Sequence, residues 1–128
     1  MRLLLDTHIV LWAAAIPDKL PNKAVELLTD ERNTLFFSAA SFWEIVIKNA
    51  LGRSDFQVNC QQLRSGLLIN NYHELPVSSE HCLCVETLHS HHKDPFDRIL
   101  VAQAIAEDMT LLTADSLLSQ YPSVLLVY

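Results

Sequence analysis

Glycine is nearly missing from this chain, with two residues in 128, and proline is held to five. Fibrous, linker-like and low-complexity architectures are thereby excluded, since each depends on an excess of one or both. Cysteine is scarce as well. Cys60, Cys82 and Cys84 are odd in number, and the last two are nearly adjacent, which makes no disulfide framework for a domain of this size and fits a reducing compartment. Long apolar runs are missing too: none approaches the ~18 to 20 residues a membrane span needs. The apolar start from Met1 to Leu5 is cut by Asp6 before it becomes the core of a signal peptide. A cytoplasmic protein without a membrane partner is the expectation.

Basic residues are in deficit, nine Lys and Arg against fifteen Asp and Glu, for a formal net charge of −6. Broad non-specific coating of nucleic acid is argued against, because that affinity comes largely from Lys and Arg neutralising phosphates. A nuclease is not excluded. Metal-binding carboxylates inflate the negative count, and a divalent ion held among them becomes the local attractor for phosphate. Neither a Gly-rich phosphate loop nor a Ser nucleophile elbow is present.

What the chain does have is apolar periodicity. Half of its residues are hydrophobic and 19% are charged, and a chain of this length buries about two-thirds of its unfolded surface in one core. A single domain over residues 1–128 is expected. Leu3-Leu4-Leu5 reads as a buried strand, followed by helical spacing through Ile9, Val10, Trp12 and Ala13. Pro21 opens a second helix, and Leu35-Phe36-Phe37 makes a second strand. Ser38 to Leu51 is a strong helix stopped by Gly52, and Asn59 to Asn70 is a weaker one interrupted by Gly66. Tyr72 to Val77 is a candidate third strand, and Ser78 or Ser79 caps a helix running to about Leu88. The polar stretch His89 to Lys93 reads as a loop, Asp94-Pro95 opens an amphipathic helix to Asp108, and Thr110 to Thr113 and Val124 to Val127 are the last strands. A short helix near Ser116 to Gln120 separates them. Such alternation predicts an α/β sandwich of three layers around a mainly parallel sheet.

In an open α/β sheet, ligands gather beyond the carboxyl ends of the strands. Asp6 ends the first strand and Asp115 lies just past the fourth, while Asp97 opens the helix after the His-rich loop and Glu44 sits about one turn inside its own. Four carboxylates aimed at one cleft repel one another unless a cation neutralises them. Oxygen-only ligation favours Mg²⁺, with Mn²⁺ as substitute, and such an ion can activate a water for phosphodiester hydrolysis without a covalent nucleophile.

Each acid also has a structural use. Asp94 and Asp97 suit a helix start, Ser41-Phe42-Trp43-Glu44 matches a capping box, and Asp6 and Asp115 are placed to cap the helices that follow them. Lys48 and Arg98 stand near these acids in sequence, each able to pair with a carboxylate or meet phosphate. His81, Cys82 and Cys84 suggest soft-metal ligation by proximity, but a helix points the two thiols in different directions and no second ligand pair exists, so buried thiols are expected. His89, His91 and His92 read as solvated loop residues.

Four motifs stand in register along the chain: Leu3-Leu4-Leu5-Asp6-Thr7-His8, Ser38-Ala39-Ala40-Ser41-Phe42-Trp43-Glu44-Ile45, His92-Lys93-Asp94-Pro95-Phe96-Asp97-Arg98, and Leu112-Thr113-Ala114-Asp115. Their order and spacing resemble PIN-domain proteins, most closely the VapC-type toxins of prokaryotic toxin–antitoxin pairs, over essentially the whole chain. The resemblance implies an acidic metal site of Asp6, Glu44, Asp97 and Asp115, with Asp97 rather than Asp94 as the third member and Thr113 as a supporting hydroxyl. It further implies an RNA endonuclease, a homodimer, and a cognate antitoxin that blocks the cleft. Leu88-His89-Ser90-His91 departs from the family's pattern, which carries a proline-containing loop there.

Two other classes compete. One is a catalytically silent module of the same fold that binds RNA or protein; the intact acids count against it. The other is phosphatase chemistry of the haloacid-dehalogenase type, which requires a second Asp where this chain has His8.

Overall fold

The computed structural model describes residues 1–52, 57–89 and 94–127. Five strands form one sheet in the order β3-β2-β1-β4-β5: β1 Arg2–Leu5, β2 Thr34–Ser38, β3 His73–Leu75, β4 Thr110–Thr113 and β5 Val124–Leu126. Every pairing among them is parallel, which sharpens the expected mainly parallel sheet. The register sets Leu4 beside Phe36 and Leu111, and Leu5 beside Phe37 and Leu112. Because both faces are covered, the central strands carry unbroken apolar runs instead of alternating ones.

Among the described residues six helices cover the two faces: α1 Thr7–Ala15, α2 Asn22–Thr29, α3 Ala39–Ala50, α4 Cys60–Ile69, α5 Ser79–Val85 and α6 Pro95–Ala106. On one face Leu4 and Leu111 pack with Leu100, Val101 and Ala104 of α6, while Leu5, Phe37 and Leu112 on the other meet Ile9 and Val10 of α1, Ala24 of α2, and Leu63 and Leu67 of α4. Helix α3 joins the two cores, giving Ala40 to the first and Ile45 to the second. The expected three layers are present.

Several local expectations shift. Pro21 is the N-cap of α2 rather than its first helical residue. Gly66 lies inside α4 without breaking it, and Asn59 and Asn70 bound that helix. Gly52 takes φ +70° immediately after α3, the left-handed stop for which glycine is suited. Helix α5 ends at Val85, short of Leu88, and a 3-10 turn over Pro17–Lys19 had no signal in the periodicity. The helix expected near Ser116 is also a 3-10 turn, Ser116–Gln120. Of the His89–Lys93 loop only His89 falls among the described residues; Ser90, His91, His92 and Lys93 lie outside them.

The thiol expectation fails. Cys82 is exposed and Cys60 and Cys84 are half-buried, whereas His81 is the side chain that α5 turns inward. Ser78 N–H donates to His81 Nδ1 at 3.0 Å, Ser78 Oγ accepts His81 N–H at 3.3 Å, and His81 Nε2 lies 2.9 Å from Glu107 Oε2. The two contacts with Ser78 form a capping box at the start of α5, and Glu107 holds the far side of the ring. One step along a helix is about 100° of rotation, so burying His81 turns Cys82 toward solvent.

Candidate functional site at the switch of strand order

The chain builds outward from β1 in one direction through β2 and β3, then returns to the other side of β1 for β4 and β5. The gap between the carboxyl ends of β1 and β4 is therefore the topological switch point, where the connections leave in opposite directions and open a crevice. Asp6 and Asp115 follow those two strand ends.

Asp6 is buried at 4% exposure and is the N-cap of α1, its Oδ1 accepting Ile9 N–H at 2.9 Å. Its other carboxylate oxygen accepts the Thr113 hydroxyl, while Thr113 Oγ1 itself accepts Asp115 N–H at 3.0 Å. Asp115 in turn caps the turn that follows, accepting Leu117 N–H at 2.9 Å. Both acids thus have the capping role that their positions suggested, and each cap uses one carboxylate oxygen. Burial raises the Asp6 carboxyl above its usual range; the Thr113 and Ile9 hydrogen bonds and the charge of His8 oppose that shift, and the negative charge of Asp115 adds to it. A cleft of about 260 Å³ opens here, lined by Asp6, His8, Trp12, Ala114 and Asp115.

Glu44 reaches this edge by a different route. Helix α3 follows β2 directly and must run back against the strands, so its N-terminus lies at the carboxyl edge. The N-cap is Ser38, whose Oγ accepts Ala40 N–H at 3.0 Å; the Ser41–Glu44 capping box is not formed, because the cap position falls three residues before Ser41. Glu44 is free of that duty. Its Oε1 accepts the Thr7 hydroxyl at 2.8 Å, with Thr7 Oγ1 also 3.0 Å from Ser41 Oγ, and its Oε2 meets Lys48 Nζ at 2.9 Å.

The first turn of α6 divides the duties of its two acids. Asp94 is the cap, with Oδ1 accepting Phe96 N–H at 2.8 Å and Asp97 N–H at 3.3 Å, and Pro95 occupies the first helical position. Asp97 lies half-buried one turn in, its carboxylate not used by the cap. Since α6 leads straight into β4, its N-terminus also lies at the carboxyl edge. Arg98 turns elsewhere: Nη1 donates to His89 O at 3.0 Å and lies 3.2 Å from Tyr121 Oη, and Nη2 donates to Val85 O at 3.3 Å. It ties the end of α5 to the start of α6.

Asp6 and Asp115 therefore share a cleft through Thr113, Glu44 joins Asp6 through the neighbouring Thr7, and Asp97 occupies the same edge on a separate helix. Among the described residues, no three His, Cys, Asp or Glu side chains form a ready-made metal cluster. The cleft offers the carboxylates of Asp6 and Asp115 and the Thr113 hydroxyl, with the His8 ring on its wall and no thiol, a set that fits a hard divalent cation such as Mg²⁺ or Mn²⁺ and not a thiophilic one. Thr7, His8 and Trp12 received no role from the sequence; their one signal was adjacency to Asp6 on the first turns of the same helix.

A family model described as PIN domain matches residues 3–123. No curated protein sequence matches the chain. Among solved structures, the fold is similar to VapBC2 from Rickettsia felis bound to a DNA fragment from their promoter, at TM-score 0.68 and 20% identity, covering 98% of this chain and 97% of that one. A toxin–antitoxin complex from Klebsiella pneumoniae gives TM-score 0.64 and 18% identity, with 98% of each chain covered. VapBC-1 from nontypeable Haemophilus influenzae gives 0.62 and 23%, covering 94% and 91%. With a match across nearly its whole length, and the parallel sheet and acidic crevice to accompany it, the chain belongs to the PIN-domain family.

Proposed function

We propose that this chain is a metal-dependent endoribonuclease and the toxin of a toxin–antitoxin pair. The observation that carries the reading is the pair of acids at the switch point: Asp6 and Asp115, from strands that are neighbours in space and far apart in sequence, joined by one hydroxyl. Asp6, Glu44, Asp97 and Asp115 are assigned as the residues that hold Mg²⁺, or Mn²⁺ in its place. A bound ion of this kind supplies an activated water and positive charge for the phosphate oxygens.

The protein's own part is to prepare the oxygens. Thr113 holds one Asp6 oxygen in a fixed direction, and the α1 cap holds the other, so the carboxylate is oriented before anything binds. Burial of Asp6 keeps bulk water from screening its charge. Asp97 extends the acidic edge from α6, and His8 and Trp12 line the wall along which a polynucleotide passes. An RNA substrate, a cytoplasmic location, a homodimer and a cognate antitoxin belong to the same proposal. Its support is the likeness in fold to chains solved as toxin–antitoxin complexes. No helix among the described residues is long and apolar enough to cross a membrane.

The test is cleavage of RNA by the purified chain in Mg²⁺, in chelator, and with Asp6→Asn. Expression with and without the gene's immediate upstream neighbour then reads growth arrest. Metal-dependent cleavage lost in Asp6→Asn, and arrest relieved by the neighbour, are expected. RNA binding without cleavage in Mg²⁺ or Mn²⁺ across many substrates would replace this reading with that of a silent binding module.

A further inference from the structure

We infer that Lys48 is a positioning residue that occupies Glu44 when no divalent ion is present and thereby sets how tightly an ion binds. The inference rests on the metal-dependent reading of the acids.

A carboxylate as buried as that of Glu44 must be compensated, and two groups do it: the Thr7 hydroxyl on Oε1 and the Lys48 ammonium on Oε2. The two contacts are unlike in what it takes to undo them. Thr7 is buried on α1 beside Asp6, fixed by the helix that Asp6 caps. Lys48 keeps 39% of its side chain exposed against 7% for Glu44, on a flexible four-carbon stem, so of the two contacts it is the one that yields without moving the helix backbone. The i,i+4 spacing with Glu first is the favourable orientation on a helix, so the pair re-forms readily.

Oε2 is therefore taken by an internal cation, and offering it to a metal requires Lys48 to let go. Whatever stabilises the pair is subtracted from the affinity for the ion. Removing the ammonium vacates Oε2 while Thr7 still holds Oε1, and so tightens binding, whereas a purely structural lysine leaves the affinity unchanged.

The experiment is titration of Mn²⁺ into the purified full chain, read by calorimetry, for wild type, Lys48→Gln, Lys48→Arg and Lys48→Gln combined with Glu44→Gln. Lys48→Gln is expected to lower the Mn²⁺ Kd about three- to fivefold, the upper end of what one such ion pair contributes. Lys48→Arg, which keeps the charge, stays within about twofold of wild type. In the Glu44→Gln background the effect disappears. An affinity in Lys48→Gln equal to or weaker than wild type overturns the inference, as does equal tightening without Glu44; should the double variant not fold, the contrast between Lys48→Gln and Lys48→Arg decides alone. A wild-type chain that takes up no Mn²⁺ at all overturns the metal-dependent reading itself, an outcome distinct from uptake that ignores Lys48.

Discussion

Thr113 donates its hydroxyl hydrogen to the carboxylate of Asp6 across 107 positions of sequence, and the same oxygen receives the backbone N–H of Asp115. One side chain thus fixes one acid and braces the loop that carries the other. It is buried, and it stands at the end of β4 where the sheet changes direction.

Thr113→Val keeps the shape and removes both hydrogen bonds. Cleavage should fall by about 10- to 100-fold, the usual loss when a partner that orients a metal ligand is removed. Stability should fall by roughly 1–3 kcal/mol, because the buried Asp6 oxygen loses its donor. Single-turnover cleavage and urea denaturation measure the two effects, and Thr113→Ser should restore most of both.

Burial raises the Asp6 carboxyl above its unfolded value of 3.8. A carboxyl raised on folding contributes stability that is full below the unfolded value and is lost as the pH climbs through the folded one. Near neutral pH the ionised side chain therefore opposes folding. Asp6→Asn should raise the melting temperature of the metal-free protein at neutral pH, with the gain shrinking as the pH is lowered toward about 4. Mg²⁺ should raise the melting temperature of wild type and leave that of Asp6→Asn nearly unmoved. Thermal melts across pH, with and without metal, decide both points.

Asp94 and Asp97 are three residues apart and should separate cleanly. Asp94→Ala removes the cap of α6 and should lower stability by about 1 kcal/mol. Asp97→Asn leaves the cap intact and should change the melting temperature little while abolishing cleavage. Equal thermal loss in both variants would show that Asp97 also serves the helix.

Gln103, fully buried in α6, accepts the Ser38 hydroxyl at 2.6 Å and donates to Pro76 O at 3.3 Å. It ties the cap of α3 to α6 and to the segment before α5. Gln103→Leu strands the Ser38 hydroxyl and should cost about 1–3 kcal/mol by urea denaturation. Gln103→Glu, which buries a charge at the same place, should cost more.

The layering of this fold was legible because its central strands are apolar on both faces. Leu3-Leu4-Leu5 and Leu111-Leu112 have no polar alternate, and only a sheet covered twice accommodates that. Asp6 and Asp115 were legible for the same reason, as the first charges after such runs. Glu44 was harder. The Ser41–Glu44 spacing imitates a cap, and only the actual start of α3 at Ala39 frees the acid. The inward turn of His81 had no periodic signal; it depends on Glu107, 26 positions away, meeting its ring. His8 and Trp12 became visible only when the cleft closed around Asp6 and Asp115.

The two border strands, β3 and β5, are three residues long apiece. Borders so short expose almost no unpaired backbone, which blunts the sheet against sticking to other strands. They also leave a binding protein little length on which to add a strand of its own. If the proposed antitoxin exists, its grip on this chain would fall chiefly to side chains on the helical flanks, where specificity is set residue by residue.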